Sequence, residues 1–175
     1  PVSSLQRMRQ GESMLSIGLM SGTSMDGIDA ALLETDGTPA LLIERGHATL
    51  PYPDEFKLLL KMAEFVIRKY QGNLHESETY FQESINEFLT NELNITSKNS
   101  DDMLKDFATY LYGEKSNHLP ITLDAIINYS TQLHGHLVHQ LIAELGYDST
   151  QIDVVGYHGQ CMFHQPKRKV SIILG

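Results

Sequence analysis

Cysteine is almost absent from this chain of 175 residues, which contains only Cys161. One cysteine permits no intrachain disulfide, and disulfides are characteristic of oxidising compartments. Long apolar runs are also missing: no stretch approaches the roughly 20 apolar residues of a membrane-spanning helix, and no signal peptide is visible. These absences argue against a disulfide-stapled secreted domain and predict a cytoplasmic protein that does not insert into a membrane.

Basic residues are scarce compared with acidic ones. The chain has 13 Lys and Arg against 22 Asp and Glu, which gives a formal net charge of −9. Nucleic acid or an anionic membrane surface would call for a basic patch. The one basic cluster, Lys167-Arg168-Lys169, is predicted to be a solvated turn. We therefore expect neither nucleic acid nor membrane as a partner.

The most informative segment is Gly18-Leu-Met-Ser-Gly-Thr-Ser-Met-Asp-Gly-Ile-Asp29, which lies between two apolar runs. It is predicted to join two strands, and it lacks both the Gly-Lys-Ser/Thr ending of a Walker A loop and the G-x-G-x-x-G of a dinucleotide loop. Three glycines would let an anion approach the backbone, and Thr23 and Ser24 would donate hydrogen bonds. The segment predicts a phosphate-binding hairpin, with an ordinary Gly- and Ser-rich turn as the alternative.

Hydrophobic periodicity predicts an α/β chain that begins with a β-meander. Asp54 is predicted to cap the first long helix, and a second helix is predicted from Ser77. Strands are expected near residues 16–20, 28–34, 41–50, 152–156 and 170–175, and helices near 54–70, 77–93, 101–113 and 122–146. The segment from Asn117 to Pro120 is predicted to be a loop. A helix followed by a strand fits the crossover of an α/β layer.

The Gly18–Asp29 segment resembles the N-terminal signature of the anhydro-N-acetylmuramic acid kinases. A second block, Val154-Val-Gly-Tyr-His-Gly-Gln160, is similar to the His-Gly-Gln segment of that family, and it is followed by His164-Gln165-Pro166 and the strand-like Val170–Gly175. The family belongs to the superfamily of actin, sugar kinases and Hsp70. The resemblance implies an α/β fold: an N-terminal ribonuclease H-like (actin-like ATPase) domain, with a mixed sheet that starts with a β-meander and is flanked by helices.

The resemblance also implies a reaction and its cofactors. These kinases open the 1,6-anhydro ring of anhydro-N-acetylmuramic acid with water and transfer the γ-phosphoryl group of ATP to O6, with Mg²⁺, in cell-wall sugar recycling. Met20 occupies the place where many members of the superfamily carry a Mg²⁺-associated Asp, so no direct metal ligand is predicted there. The residues predicted to bind the ATP phosphates are Gly22, Thr23, Ser24, Met25, Asp26, Gly27, Ile28 and Asp29. For Asp26 and Asp29, holding a metal-bound water and simply forming the turn remain alternatives.

The histidines are predicted to differ in role. His134, His136 and His139 fall on the last predicted helix without the spacing of a metalloprotease site, so no metal site is expected there. His158 and His164 are predicted at a strand end and in the loop that follows it, where α/β domains place ligand contacts. The residues predicted to bind the sugar are His158, Gly159, Gln160 and His164. The alternative is that they only stitch the loop together.

Residues 1–13 are polar and precede Met14, so they are interpreted as an extension or a cloning remnant, and the resemblance assigns residues 14–175 to a phosphate-binding domain. Residues of about 74–120 match least well and are interpreted as a variable helical segment. The family's catalytic base and its C-terminal ATPase domain are expected beyond Gly175. We therefore expect no catalytic base in this chain, no activity of the chain alone, and either the missing kinase half or a second copy as its partner. The alternative function is a non-catalytic interaction domain from a truncated or split kinase gene.

Overall fold

The computed structural model describes residues 3–175, except for the side chains of Leu5, Met8, Ser97 and Lys98. The chain divides into two compact units. Unit 1 contains the residues up to Pro51 together with Thr131–Gly159, and unit 2 contains Tyr52–Ser130 and Gln160–Gly175. Within residues 3–175, no helix combines the length and the apolar character needed to cross a bilayer.

Unit 1 is built on a mixed sheet of four strands. Its strands are β1 Met14–Ser21, β2 Gly27–Thr35, β3 Leu42–Pro51 and β4 Val154–His158, in the order β3-β2-β1-β4. The first three form the predicted antiparallel meander, and β4 pairs parallel with β1. The α/β fold predicted from the resemblance, a mixed sheet that begins with a β-meander and is flanked by helices, is confirmed.

The two faces of this sheet differ in burial. One face of the sheet carries Ile17, Ile28 and Leu32, because alternate residues of a strand point to the same side. All three are almost completely buried. The long helix that precedes β4 contributes Leu137 and Leu141, which are buried as well. On the opposite face lies Met20, whose side chain is 63% exposed.

Two helices contribute to unit 1. Helix α1, Ser4–Arg9, lies within the predicted extension 1–13, of which Pro1 and Val2 are outside the described residues. The guanidinium group of Arg7 forms an ion pair with Asp153, and the Leu15 amide donates to the same carboxylate at 3.0 Å. The long helix, here α6, spans Leu123–Glu144, and its part from Thr131 onward belongs to unit 1.

Unit 2 is mainly helical. Its helices are α2 Asp54–Lys69, α3 Leu74–Thr79, α4 Phe81–Asn91, α5 Ser97–Tyr112 and the first part of α6, and its strands are β5 Gln160–Gln165 and β6 Val170–Leu174, which pair antiparallel. Helix α2 packs on α4 and β5. Its apolar stripe, which includes Phe56, Leu60 and Val66, is fully buried, as expected for a core face.

Several predicted boundaries are wrong. Pro53, not Asp54, is the N-cap of α2, and Asp54 is its first residue. The helix predicted from Ser77 is two helices separated at Tyr80, and α5 already begins at Ser97. The strand predicted at residues 152–156 lies at Val154–His158, and β5 replaces the loop in which His164 was predicted.

Candidate functional site

The first two strands are joined by a loop of five residues, Gly22–Asp26, called the hairpin loop below. The amide of Met25 donates to the carbonyl oxygen of Gly22 at 3.2 Å, which closes a turn. Met25 has a φ of 58° and a side chain that is only 4% exposed. The buried side chain of Met25 therefore anchors the loop, while Thr23, Ser24 and Asp26 are exposed. The loop therefore presents its hydroxyl groups to solvent.

The three glycines of the signature have different surroundings. A Cβ added to Gly27 would lie 2.5 Å from the carbonyl oxygen of Leu50, so Gly27 is required by the close approach of β3. A Cβ on Gly22 would meet only the Ser24 hydroxyl, at 3.4 Å, and one on Gly18 would meet nothing within 4 Å. Gly18 and Gly22 therefore keep space open at the surface of unit 1, whereas the packing of β3 accounts for Gly27.

A row of four side chains crosses the open face of the sheet beside the hairpin loop. His158 is paired with Met20, Met20 with Asp29, and Asp29 with Thr49. The Thr49 hydroxyl donates to the Asp29 carboxylate at 2.6 Å. Because β1 and β4 are parallel neighbours, their carboxyl ends meet at one edge of the sheet, where α/β proteins bind ligands. The structure thus brings His158 and the hairpin loop to the same edge.

On the opposite face of the sheet, a buried histidine contacts the end of β1. His134 of α6 is 2% exposed, and its Nε2 lies 2.8 Å from the Oγ of Ser21, the last residue of β1. Its ring packs against the Tyr157 ring with the centroids 4.5 Å apart. From the sequence, His134 was considered only as a metal ligand, and no metal site was expected there. The sequence signal for a buried role is that this histidine lies in the apolar register of an amphipathic helix.

The other residues predicted to bind the sugar are spread over the two units. Gly159 is buried and ends unit 1 directly after His158. In unit 2, Gln160 is fully buried as the first residue of β5, and His164 is exposed on the same strand. Gln160 is thus a core residue of its unit, while His158 and His164 present their imidazoles to solvent.

The charged side chains of the signature segment are carboxylates. The segment Gly18–Asp29 contains Asp26 and Asp29, both exposed, and no Lys or Arg. Among the residues that the structure describes, no three His, Cys, Asp or Glu side chains are grouped so that they could hold a metal ion. Mg²⁺ does not need such a cage, because it commonly binds one or two carboxylates together with waters and substrate phosphates.

Comparisons with known proteins give one family. The family model for anhydro-N-acetylmuramic acid kinase matches residues 14–101, which include the hairpin loop. A protein named anhydro-N-acetylmuramic acid kinase from Brucella suis (strain ATCC 23445 / NCTC 10510) is 31% identical over 160 residues, and proteins of the same name from Methylorubrum populi and Azorhizobium caulinodans are 28% and 31% identical. These matches cover 91–93% of this chain. The chain spans only 31–33% of the length of these curated relatives.

Proposed function

Because the chain belongs to the anhydro-N-acetylmuramic acid kinase family, we propose that it supplies the phosphate-binding hairpin and part of the sugar site of such a kinase. The reaction is the ATP-dependent opening of the 1,6-anhydro ring with phosphorylation of O6. The observation that carries the proposal is the exposed hairpin loop Gly22–Asp26, which lies inside the matched segment and at the same sheet edge as His158.

The hairpin loop fits the phosphates of ATP. Thr23 and Ser24 are exposed and donate through their hydroxyl groups, and the absence of a Cβ at Gly22 lets an anion approach the backbone. The Met25 amide is already used within the turn, so its part in the proposal is to anchor the loop. The space over Gly18 and Gly22 is what a bulky polyphosphate requires. When bound, ATP supplies the phosphoryl group that is transferred to O6.

Mg²⁺ is part of the proposal because of the charge at the loop. Asp26 and Asp29 would repel a polyphosphate, and the segment Gly18–Asp29 has no cationic side chain to offset them. A divalent cation held near these carboxylates would offset this repulsion and would supply positive charge for phosphoryl transfer. Asp26 is the proposed partner of the metal or of its waters, and Asp29 is oriented by the hydrogen bond from Thr49.

For the sugar, His158 is the proposed contact in unit 1. An imidazole can both donate and accept hydrogen bonds, which suits hydroxyl and acetamido groups. His158 is exposed and lies at the end of a strand that neighbours β1. His164 is exposed on β5 of unit 2, and its contact with a sugar stays a prediction. Gln160 is buried, so its proposed contribution is to fix the backbone after Gly159 rather than to offer an open side chain.

The remaining part of the kinase, or a second copy of this chain, is the proposed macromolecular partner. The edge strand β4 exposes Val154, Val155 and Tyr157 at 38–49% of their surface. Unpaired strand edges with apolar side chains are surfaces on which further chain packs. The catalytic base is proposed to lie outside these 175 residues. A non-catalytic interaction domain would use the same edge, but it would leave the open hairpin loop without a role.

The test of the proposed function is phosphorylation of anhydro-N-acetylmuramic acid with ATP and Mg²⁺. The chain is assayed alone and mixed with the part of the Brucella suis relative that lies outside the aligned 160 residues. We expect turnover only in the mixture, and we expect it to fall when Thr23 and Ser24 are both replaced by Ala. A Thr38→Ala/Ser149→Ala variant, altered at exposed hydroxyls elsewhere, is the control. Equal turnover for the unaltered chain and both variants would contradict the phosphate assignment.

A further inference from the structure

One buried side chain contacts the ends of both strands that carry the proposed site. His134 lies on α6, its Nε2 is 2.8 Å from the Ser21 hydroxyl oxygen, and its ring packs on Tyr157 at 4.5 Å between centroids. Ser21 directly precedes Gly22 of the hairpin loop, and Tyr157 directly precedes His158. All of these residues belong to unit 1.

The pairing of the strands gives these contacts their importance. Tyr157 is opposite Leu19, and His158 is opposite Met20, so the two strand ends run side by side. A contact at Ser21 fixes the point at which the backbone leaves β1 for the hairpin loop. A contact at Tyr157 fixes the point at which β4 turns toward Gly159. A single side chain of α6 therefore contacts the ends of both strands.

The chemistry of the imidazole suits this task better than an apolar side chain does. His134 is 2% exposed and Ser21 is 5% exposed, so their hydrogen bond is shielded from water. Such a bond is directional and fixes the rotamers of both partners. A phenylalanine at this position would keep the ring contact with Tyr157 but would lose the hydrogen bond to Ser21.

We propose that His134 is a positioning residue, which holds the hairpin loop Gly22–Asp26 in a fixed relation to His158. This role rests on the proposed function, because it gives His134 the task of aligning phosphate and sugar contacts. It differs from simple core filling in one measurable respect: replacing His134 must disturb Gly22 and His158 together.

The test uses the ¹⁵N-labelled chain and the variants His134→Phe and His134→Gln. His136→Gln and His139→Gln, altered at exposed positions of the same helix, are the matched controls. We expect His134→Phe to move the Gly22 amide and His158 resonances together and to weaken binding of ATP and Mg²⁺ by about fivefold to tenfold, the loss that one hydrogen bond represents. His134→Gln, which retains a donor and an acceptor, should recover part of that loss.

A second variant and the ATP binding of the unaltered chain complete the test. If His134→Phe does not fold, Ser21→Ala removes the same hydrogen bond from the other partner and is expected to move the Gly22 and His158 resonances in the same way. Unchanged Gly22 and His158 resonances in a folded variant that lacks the bond would overturn the role of His134. Failure of the unaltered chain to bind ATP would instead count against the proposed function, because the resonance shifts need no ligand.

Discussion

At the scale of single residues, the glycines of the hairpin show how one sequence signal combines two physical causes. The pattern Gly18, Gly22 and Gly27 was interpreted as space for an anion at all three positions. The structure leaves that interpretation open for Gly18 and Gly22 and gives Gly27 a packing reason, since Leu50 and Pro51 lie against its Cα. A glycine required by a neighbouring strand and one required by a ligand look alike in a sequence.

Replacing Gly27 by Ala should therefore destabilise the sheet. Its Cβ would lie 2.5 Å from the Leu50 carbonyl oxygen, and backbone on both strands would have to shift. Overpacking of this kind costs roughly 1–3 kcal/mol of unfolding free energy. Urea denaturation followed by circular dichroism measures the loss. Gly18→Ala is the control, because its Cβ meets no atom within 4 Å, and an equal loss in both variants would contradict the packing account.

The bond between His134 and Ser21 marks the limit of sequence reasoning at this scale. The two residues are 113 positions apart, and no local pattern links them. His134 is buried on the same helix as Leu137 and Leu141, but the partner of a buried polar group depends on how elements are assembled. The row from His158 to Asp29 could not be predicted from the sequence either, since it requires the parallel pairing of β1 with β4.

At the scale of elements, turn signals and hydrophobic periodicity predicted the meander and the long helices. The turn at Asp36-Gly37 separates β2 from β3, and the stripe of α2 ends with Tyr70 as its C-cap. Strand β5 is not predicted from the sequence. A register shift between Cys161 and Phe163 lets Met162 and Phe163 both lie in the core. Two successive buried residues break the alternation by which a strand is recognised.

The start of α3 was misplaced for a different reason. The Asn73 side chain accepts a hydrogen bond from the Glu76 amide at 3.2 Å and caps a new helix, which begins at Leu74 rather than at the predicted Ser77. The break at Tyr80 is not marked by Gly or Pro. The Tyr80 ring stacks on that of Tyr70 at 5.6 Å, a tertiary contact that local propensity does not contain.

The buried stripe of α2 gives a prediction at this scale. Leu60→Ala removes a fully buried side chain and leaves a cavity, which should lower the unfolding free energy by about 2–5 kcal/mol. The neighbouring Lys61→Ala, at an exposed position, should change it by less than about 0.5 kcal/mol. Thermal unfolding of the two variants makes the comparison. Similar midpoints would mean that the stripe is not a core face.

At the scale of the whole molecule, the family is established but the chain spans only 31–33% of the length of its curated relatives. Unit 1 carries both the hairpin loop and the exposed His158, at one sheet edge. The two blocks of the sequence that resemble the family contain the hairpin loop and His158. How the hairpin loop and His158 lie relative to each other depends on strand order, which the blocks do not encode.

The most direct test of this account is a titration of the ¹⁵N-labelled chain with ATP and Mg²⁺, followed by nuclear magnetic resonance. The hairpin loop is expected to bind the phosphates, so the amide signals of residues 22–27 should shift in a saturable way. Adenosine, which lacks phosphates, is the control ligand and should leave these signals in place. Shifts confined to other parts of the chain, or no shifts with ATP at millimolar concentration, would contradict the central claim that this hairpin is a phosphate-binding element.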